Sequence, residues 1–259
     1  MELLNTLWLV ALILFFYMTA LFLMAMKRHD NSIADVAWGL GFILVAWATL
    51  FIGGSFTPRQ LIASLLVLIW GLRLSVRIYL RNRGKGEDVR YRQWRERWGK
   101  SFVLRSYLQV FILQGFILLL NIFPVLVINT YDIGHMGFLD LLGVILWVMG
   151  FCFESLSDWQ LDQFIKNQNN RGKIMNLGLW RYSRHPNYFG EVTMWWGLYI
   201  LALSVPWGWI SIIGPLTITS TILFVSGIPM TEKIMEKNPS FAVYKKRTSV
   251  FIPWFSKKD

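Results

Sequence analysis

The sequence predicts an all-α fold, a polytopic transmembrane bundle of about seven helices, and three observations support this prediction. Hydrophobic residues make up 55% of the chain and charged residues only 16%, whereas a soluble domain usually carries about a quarter charged residues. Long apolar stretches recur from the beginning of the chain to near its end. The basic residues interrupt these stretches at intervals that place nearly all of them on one side of a membrane.

Seven apolar stretches approach the length of about 20 residues that a helix needs to cross a bilayer. They lie at residues 3–26, 33–52, 61–80, 103–128, 137–157, 188–204 and 208–230. The fifth fades into polar sequence, and the sixth is short. The first ends in Met-Lys-Arg without a small-residue cleavage site, so we expect a membrane span there and not a cleavable signal peptide. Residues 1–259 are predicted to form one integral membrane domain.

The Lys and Arg residues are divided unequally between the two predicted sides of the membrane. Of the 26, 23 fall on one side, in groups within 27–28, 81–105, 166–184 and 233–258. Only Arg59 falls on the other side, and Arg73 and Arg77 lie inside the third span. Because Lys and Arg accumulate on the cytoplasmic side, we expect the N-terminus outside and the C-terminus in the cytosol. The active site should face the cytosol, from a bacterial inner membrane or a membrane of the endoplasmic-reticulum type.

The composition also argues against several function classes. The net charge of +11 is assigned to membrane topology and anionic lipid headgroups, so nucleic acid is not an expected partner. Cys152 is the single cysteine and the three histidines are far apart, so neither a disulfide nor a metal site is predicted. The sequence shows no internal repeat of the kind found in many secondary transporters. Polar residues are instead concentrated at 81–102, 158–187 and beyond 231, which favours a site at the cytosolic face.

The most informative stretch, Gly-Leu-Trp-Arg-Tyr-Ser-Arg-His-Pro-Asn-Tyr-Phe-Gly-Glu, runs from Gly178 to Glu191 and opens the sixth span. Pro186 suits the first turn of a helix and disfavours helical geometry in the preceding residue, so a helix should begin there. The free N–H groups of a helix start attract anions, and a phosphate-bearing cofactor would suit this position. The polar residues around the start are Arg181, Arg184, His185, Asn187, Tyr188 and Glu191. Alternatively, the two Arg side chains reach lipid headgroups and Glu191 pairs with a neighbouring Arg.

Arg73, Arg77 and Arg81 recur every four residues and form one stripe on the third span. At 1.5 Å per residue, Arg73 would lie roughly 10 Å from the cytosolic end of that span. An Arg exposed to lipid at such depth costs about 2–3 kcal/mol or more, so the stripe should face the protein interior. Interior Arg side chains need anionic partners, which here are either a cofactor phosphate or the carboxylates of Asp35, Glu154 or Asp158.

Asp35 lies at the start of the second span and has two interpretations. The run from Ser32 to Asp35 matches a capping box, with Ser32 as the N-cap and Asp35 reaching back, and this interpretation is favoured. Alternatively, Asp35 is a site residue. The acidic residues near 87 and at 154–162 are expected mainly in salt bridges, although Tyr91 could place a phenol near a pocket mouth.

The Gly178 motif, followed by Trp195-Trp196-Gly197, resembles the signature of the DUF1295 family, a member of the steroid 5α-reductase C-terminal superfamily. The resemblance extends over most of the chain and includes 31–39, 86–91, 154–161 and the tail from Glu232 to Pro253. It implies a membrane enzyme that uses NADPH to reduce a C=C bond of a lipid or steroid-like enone by hydride transfer. The expected partners are a lipophilic small-molecule substrate and membrane lipids.

The resemblance, together with the positions above, nominates three groups of site residues. The expected cofactor-binding residues are Arg73, Arg77, Arg81, Asp158, Arg181, Arg184, His185, Asn187, Tyr188, Glu191, Tyr244 and Arg247. The expected proton donors are Tyr188, Glu191 and Tyr91. The expected substrate-binding residues are Asp35, Trp38 and Trp195.

The resemblance also has limits that leave two alternatives open. Better-known steroid reductases polarise the substrate carbonyl with a Gln-Glu pair and a downstream Tyr, but this sequence contains no Gln-Glu dipeptide, which argues against steroid specificity. A methyltransferase that uses S-adenosylmethionine, similar to isoprenylcysteine carboxyl methyltransferase, is the first alternative because it shares the Arg-His-Pro-x-Tyr core. A non-enzymatic scaffold or transporter is the second.

Overall fold

The computed structural model describes residues 2–256, and no β-strand occurs within this range. A parallel β-bridge joins Ser183 and Ser249. The chain folds into two compact units. The first contains the chain up to Gly137 together with Ala202–Gly214, and the second contains Phe138–Leu201 and the chain from Pro215 onward.

The first unit is built mainly from seven α-helices, with a π-helical stretch, Ser106–Ile112, between the fifth and sixth. They are α1 Leu3–Arg28, α2 Ile33–Gly53, α3 Pro58–Asn82, α4 Val89–Trp98, α5 Phe102–Arg105, α6 Leu113–Asn121 and α7 Phe123–Tyr131. The second unit holds all or most of five more. They are α8 Phe138–Lys166, α9 Pro186–Ala202, α10 Ile213–Ser220, α11 Ile228–Met235 and α12 Ser240–Arg247.

Six helical segments of the described chain are long and apolar enough to cross a membrane, which confirms an all-helical, multi-pass fold class. They are Leu3–Arg28, Ile33–Gly53, Pro58–Asn82, Val89–Asn121, Phe138–Lys166 and Gly208–Met235. The predicted sixth span, 188–204, corresponds to α9, whose 17 residues cover only about 25 Å at 1.5 Å per residue. A seventh crossing and the orientation of the termini therefore stay predictions.

The predicted fourth span, 103–128, is wrong as a continuous helix. Helix α6 ends at Asn121, and α7 begins at Phe123. Pro124 explains the interruption, because it has no N–H to donate to the preceding turn and its ring crowds that turn. The N–H groups of Val125 and Leu126 both donate to the Ile122 carbonyl instead, at 2.9 and 3.3 Å.

Helices α2 and α3 of the first unit cross at a pair of glycines. A Cβ atom added to Gly39 would lie 2.5 Å from the Gly71 carbonyl oxygen and 2.6 Å from the Ser75 hydroxyl. These distances exclude any larger side chain, and small residues allow membrane helices to approach this closely. The crossing fixes α2, which carries Asp35 and Trp38.

In the second unit, α8 and α9 cross at two glycine pairs that are seven residues apart on each helix. A Cβ on Gly150 would lie 2.5 Å from the Gly190 carbonyl oxygen, and one on Gly197 would lie 2.7 Å from that of Gly143. A Cβ on Gly190 would also lie 2.5 Å from the backbone nitrogen of Glu154. The first turns of α9 are therefore held against the second half of α8.

Candidate functional site

The start of α9 at Pro186 confirms the predicted helix start. The segment that precedes it is a 3₁₀ turn, Gly178–Arg181, which α8 holds in place. The Trp180 indole N–H donates to the Ser157 carbonyl at 3.0 Å, and the Leu179 N–H donates to the Gln160 side chain at 2.9 Å. These bonds to α8 anchor the chain that carries Arg181, Arg184 and His185.

Arg184 is buried and binds two other segments of the second unit. Its Nε donates to Glu232 Oε1 of α11 at 2.7 Å. Its Nη1 donates to the carbonyls of Thr248 at 2.8 Å and Lys245 at 3.1 Å, and its backbone N–H donates to the Ser249 carbonyl at 2.8 Å. The side chain thus ties the start of α9 to α11 and to the end of α12, and whether it also binds a cofactor stays a prediction.

His185 shares the carboxylate of Glu232 with Arg184. Its Nε2 lies 3.2 Å from Glu232 Oε1, and because an ionised carboxylate only accepts, this nitrogen carries the proton. Burial lowers the pKa of the His185 imidazole, and the hydrogen bond to Glu232 opposes only part of that effect. The neutral ring stacks on Tyr188, with ring centroids 5.4 Å apart and planes 12° from parallel. The sequence singles out Glu232 only as part of the tail, and no sequence signal pairs it with Arg184.

Asn187 and Tyr188 point their polar groups to α8 and α11 from the first turn of α9. The Asn187 amide donates to Asp158 Oδ1 at 3.4 Å, so these two residues, each predicted to bind the cofactor, lie in contact. The Asn187 Oδ1 is buried and accepts no hydrogen bond from residues 2–256. The Tyr188 hydroxyl lies 3.2 Å from Thr231 Oγ1, and since that threonine donates to the Gly227 carbonyl, the tyrosine is the donor of the pair.

Two other predicted residues lie farther along α9. Glu191 is half-buried, and Trp195 is buried with 1% of its surface exposed. Their spacing of four residues places them on one side of the helix. Asn187, Glu191 and Trp195 therefore form a continuous row.

An open cleft with a volume of about 1250 Å³ lies within the second unit. Its walls come from the end of α8, the loop that follows it, α12 and residues 255–256. Three predicted residues, Arg181, Tyr244 and Arg247, line the cleft, and so does Lys173, which was not predicted. Only the general polarity of 158–187 pointed to Lys173, because a single Lys in a polar loop has no distinguishing pattern.

Tyr244 forms part of the cleft wall through its ring, while its hydroxyl is bound to the backbone. The hydroxyl donates to the Trp180 carbonyl and lies 3.3 Å from the Ser183 carbonyl. Burial raises the pKa of the Tyr244 phenol, so the group stays protonated at neutral pH. Its position fixes α12 against the segment that leads into α9.

The first unit holds a second polar cluster, around Asp35. The Tyr91 hydroxyl donates to Asp35 Oδ1 at 2.6 Å, and Arg90 Nη2 donates to Asp35 Oδ2 at 2.7 Å. The Arg90 Nε also donates to Asp88 at 3.0 Å. Together with the ion pair between Arg95 and Glu87, these contacts confirm the salt bridges expected near residue 87.

The predicted capping box at Ser32 is wrong. The Ser32 side chain makes no cap hydrogen bond, and its hydroxyl accepts from the Asp88 N–H at 2.8 Å. The Asp35 carboxylate binds Tyr91 and Arg90 instead of reaching back to the helix start. The segment that begins at Asp88 therefore binds both side chains that a capping box would need, those of Ser32 and Asp35.

The remaining predicted residues also lie in the first unit. Arg73, Arg77 and Arg81 occupy successive turns of α3, the first two half-buried and the third exposed. Trp38 belongs to an aromatic row in which its ring centroid lies 5.2 Å from that of Phe42, which packs on Trp70. The expectation that the three Arg side chains join the start of α9 in one site stays a prediction.

Comparison with known proteins supports the resemblance in the sequence. No solved structure matches the chain. An uncharacterized protein of Schizosaccharomyces pombe, C594.04c, is 25% identical over an alignment that covers 75% of this chain and 63% of the yeast protein, so the chain spans less than two thirds of that relative's length. The family model described as "Protein of unknown function (DUF1295)" matches residues 21–248. The chain therefore belongs to the DUF1295 family, a steroid 5α-reductase-like group of membrane proteins whose function is unknown.

Proposed function

We propose that this protein is a membrane-embedded oxidoreductase that uses NADPH to reduce a C=C bond of a lipophilic substrate at the cytosolic side of the membrane. Membership of a steroid 5α-reductase-like family supports the reaction class. The observation that carries the proposal is the polar face at the start of α9. There the buried Asn187 Oδ1 accepts no hydrogen bond from the described residues, and a buried amide oxygen without a donor is costly unless a ligand or water supplies one.

The residues around this face fit a dinucleotide. Asp158 orients the Asn187 amide, so Asn187 Oδ1 is available to accept from a hydroxyl or amide of the cofactor. The neutral His185 ring stacks on Tyr188 and fixes its position. The helix N-terminus adds free N–H groups and a positive dipole end. NADPH would supply the hydride, and the protein would position the reactants and supply the proton.

Two of the expected proton donors have hydroxyls in defined contacts. The Tyr188 hydroxyl donates to Thr231, and the Tyr91 hydroxyl donates to Asp35 beside Arg90. The pair of Asp35 and Tyr91 is a carboxylate and a phenol in direct contact, which is similar to the carboxylate and tyrosine that polarise the carbonyl in steroid reductases.

Ligand binding to the purified protein in detergent tests the cofactor. NADPH should raise the free energy of unfolding by about 2.7 kcal/mol at a concentration 100 times the Kd, and the Tm should rise accordingly. Asn187→Ala should weaken NADPH binding by about tenfold, the equivalent of one lost hydrogen bond. Thr193→Ala is the matched control, since it lies on the same helix and its hydroxyl bonds back to the Phe189 carbonyl.

Stabilisation by S-adenosylmethionine but not by NADPH would favour the methyltransferase and refute the proposal. Activity is then followed as NADPH oxidation with α,β-unsaturated lipids. If Tyr91 or Tyr188 is the proton donor, its replacement by Phe should lower kcat by about 10²–10⁴-fold while NADPH still binds.

A further inference from the structure

An apolar groove lies on the surface of the first unit, between α1 and the segment formed by the π-helical stretch and α6. Its floor is formed by Leu14, Met18 and Gly115, which are buried. Phe15 of α1 and Phe116 of α6 also line it, with 48% and 56% of their surfaces exposed, so their rings form its edges. The other lining residues are Ala11, Ile112 and Leu119. Among the described residues that line the groove none is polar, which suits a hydrocarbon chain.

The two walls of the groove are in direct contact. A Cβ atom at Gly115 would lie 3.1 Å from Met18 Cγ, so a larger residue there would push α6 away from α1. Nearer the predicted cytosolic end, the ring centroid of Phe22 lies 5.6 Å from that of Phe111, with the rings edge to face. The groove is therefore formed by the packing of the helices and exists before a ligand binds.

The volume of the groove, about 170 Å³, distinguishes between possible occupants. Pockets that enclose a small molecule usually have about 300–1,000 Å³, so this groove is too small for a whole lipophilic substrate. A helix with its side chains is about 10–12 Å across, so a helix from a second copy of the chain would lie on the edges without filling the groove. Part of one acyl chain of a membrane lipid fits.

Two exposed Arg residues lie at the cytosolic end of the same pair of helical segments. Arg28 ends α1, and Arg105 ends α5, which leads into the π-helical stretch. The two contacts just described are four residues apart on each segment, in opposite directions, and the same register places Arg28 opposite Arg105. Within residues 2–256 neither Arg forms an ion pair, so both charges are available to an anion.

The depth of the groove matches a lipid whose phosphate binds these two residues. Met18 precedes Arg28 by ten residues, and Gly115 follows Arg105 by ten, which is roughly 15 Å along either segment. One leaflet contributes about half of the 30 Å hydrocarbon core of a bilayer. An acyl chain that extends inward from a phosphate at the level of the Arg residues therefore reaches the groove with its distal half.

We propose that the groove binds one acyl chain of an anionic phospholipid whose phosphate lies between Arg28 and Arg105. The guanidinium group suits a phosphate because it donates two parallel hydrogen bonds. In phosphatidylcholine the choline cation already neutralises the phosphate, so a lipid without that cation gains more from two Arg side chains. This lipid is a resident ligand of the first unit, separate from the proposed substrate, and its binding requires no cofactor.

The charge preference is tested with phosphatidylglycerol and phosphatidylcholine that carry the same acyl chains. Each is titrated onto the delipidated full chain in detergent, and bound lipid is counted by native mass spectrometry. Phosphatidylglycerol should bind at least about fivefold more tightly, and Arg28→Gln and Arg105→Gln should each weaken its binding by about fivefold. Lys246→Gln is the control, because it removes an exposed cation of α12 in the second unit, and it should change binding less than about twofold.

The groove itself is tested by filling it. In Ala11→Phe the new ring would occupy the space of the acyl chain, and both lipids should bind on the order of tenfold more weakly because the chain loses its packing contacts. Ala20→Phe is the matched control, since Ala20 is an exposed alanine of α1 outside the groove. Leu119→Trp, from the opposite wall, replaces Ala11→Phe if that variant does not fold.

Three outcomes would overturn the inference. They are equal affinity for the two lipids, Arg28→Gln and Arg105→Gln proteins that bind phosphatidylglycerol as well as Lys246→Gln does, and groove-filling variants that bind as well as Ala20→Phe does. A dimer in detergent that Ala11→Phe converts to a monomer would assign the groove to a second copy and also overturn it. Failure of NADPH to bind would refute the proposed function and leave this lipid site unaffected.

Discussion

Arg184 is predicted from the sequence to bind a cofactor, and the structure gives its guanidinium three protein partners. These are the Glu232 carboxylate and two backbone carbonyls near the end of α12. An Arg beside a helix start gives the same sequence pattern whether its side chain binds a ligand or hydrogen-bonds to other segments of the protein. The exposed Arg181 and Lys173 are therefore better sites than Arg184 for testing ligand binding without altering the fold.

Arg184→Ala should destabilise the protein by about 3–5 kcal/mol, because it leaves the Glu232 carboxylate buried without its Arg partner. The measurement is the free energy of unfolding in mixed micelles. The double variant Arg184→Met with Glu232→Met should lose less than Arg184→Met alone, since no uncompensated charge remains. Equal stability of Arg184→Ala and Lys246→Ala would show that the buried ion pair contributes nothing.

At the scale of the helices, the sequence predicts boundaries where a residue has one dominant effect. Pro186 at a polar-to-apolar transition predicts the start of α9 correctly, because proline fixes its own φ and suits the first turn. The break before α7 was missed because Pro124 lies inside an apolar run, where hydropathy alone shows no boundary. The capping box failed for a different reason: Asp88 and Tyr91, more than 50 residues away, compete for the same side chains.

The glycine crossing of α8 and α9 leads to a prediction about these helices. Gly150→Ala should destabilise the second unit by about 1–3 kcal/mol or more, because its Cβ would lie 2.5 Å from the Gly190 carbonyl oxygen and the helices would have to separate. It should also weaken NADPH binding, since Asp158 of α8 orients Asn187 of α9.

Gly86→Ala is the control for this substitution. Nothing lies within 4 Å of a Cβ at Gly86, and its φ is not in the left-handed region. Thermal unfolding and NADPH titration of both variants check the prediction, and a Gly150→Ala protein as stable as Gly86→Ala would contradict the close crossing.

At the scale of the whole molecule, local patterns predicted the helical membrane fold and the segments that carry the polar residues, but not how those residues pair. Arg184 binds Glu232 across 48 positions, and Tyr91 binds Asp35 across 56. A single sequence has no signal for such pairs, because each partner is one charged or polar residue among many. The cleft was not predicted as a cavity for the same reason, since its walls come together only in the folded second unit.

The sequence predicts the number of membrane crossings, and cysteine labelling can test it. If α9 crosses the membrane, Lys85 and Lys246 lie on the same side, and if it does not, they lie on opposite sides. The second arrangement would put the seven Lys and Arg residues of the tail outside, against the usual cytosolic excess. Arg59, the one basic residue predicted to lie outside, is buried against Asp132 and so adds no exposed charge to that predicted side.

We therefore expect seven crossings, with the bilayer thinning locally around the short α9. In a Cys152→Ala background, Ser55→Cys should react with an impermeant maleimide applied to intact cells. Lys85→Cys and Lys246→Cys should both react only after permeabilisation, because both lie on the cytosolic side. Labelling of Lys246→Cys in intact cells, with Lys85→Cys still protected, would contradict seven crossings. Because Arg184 before α9 binds Glu232 of α11 and the Thr248 carbonyl after α12, the start of α9 would then also lie outside, away from cytosolic NADPH, and the proposed cofactor site would lose its basis.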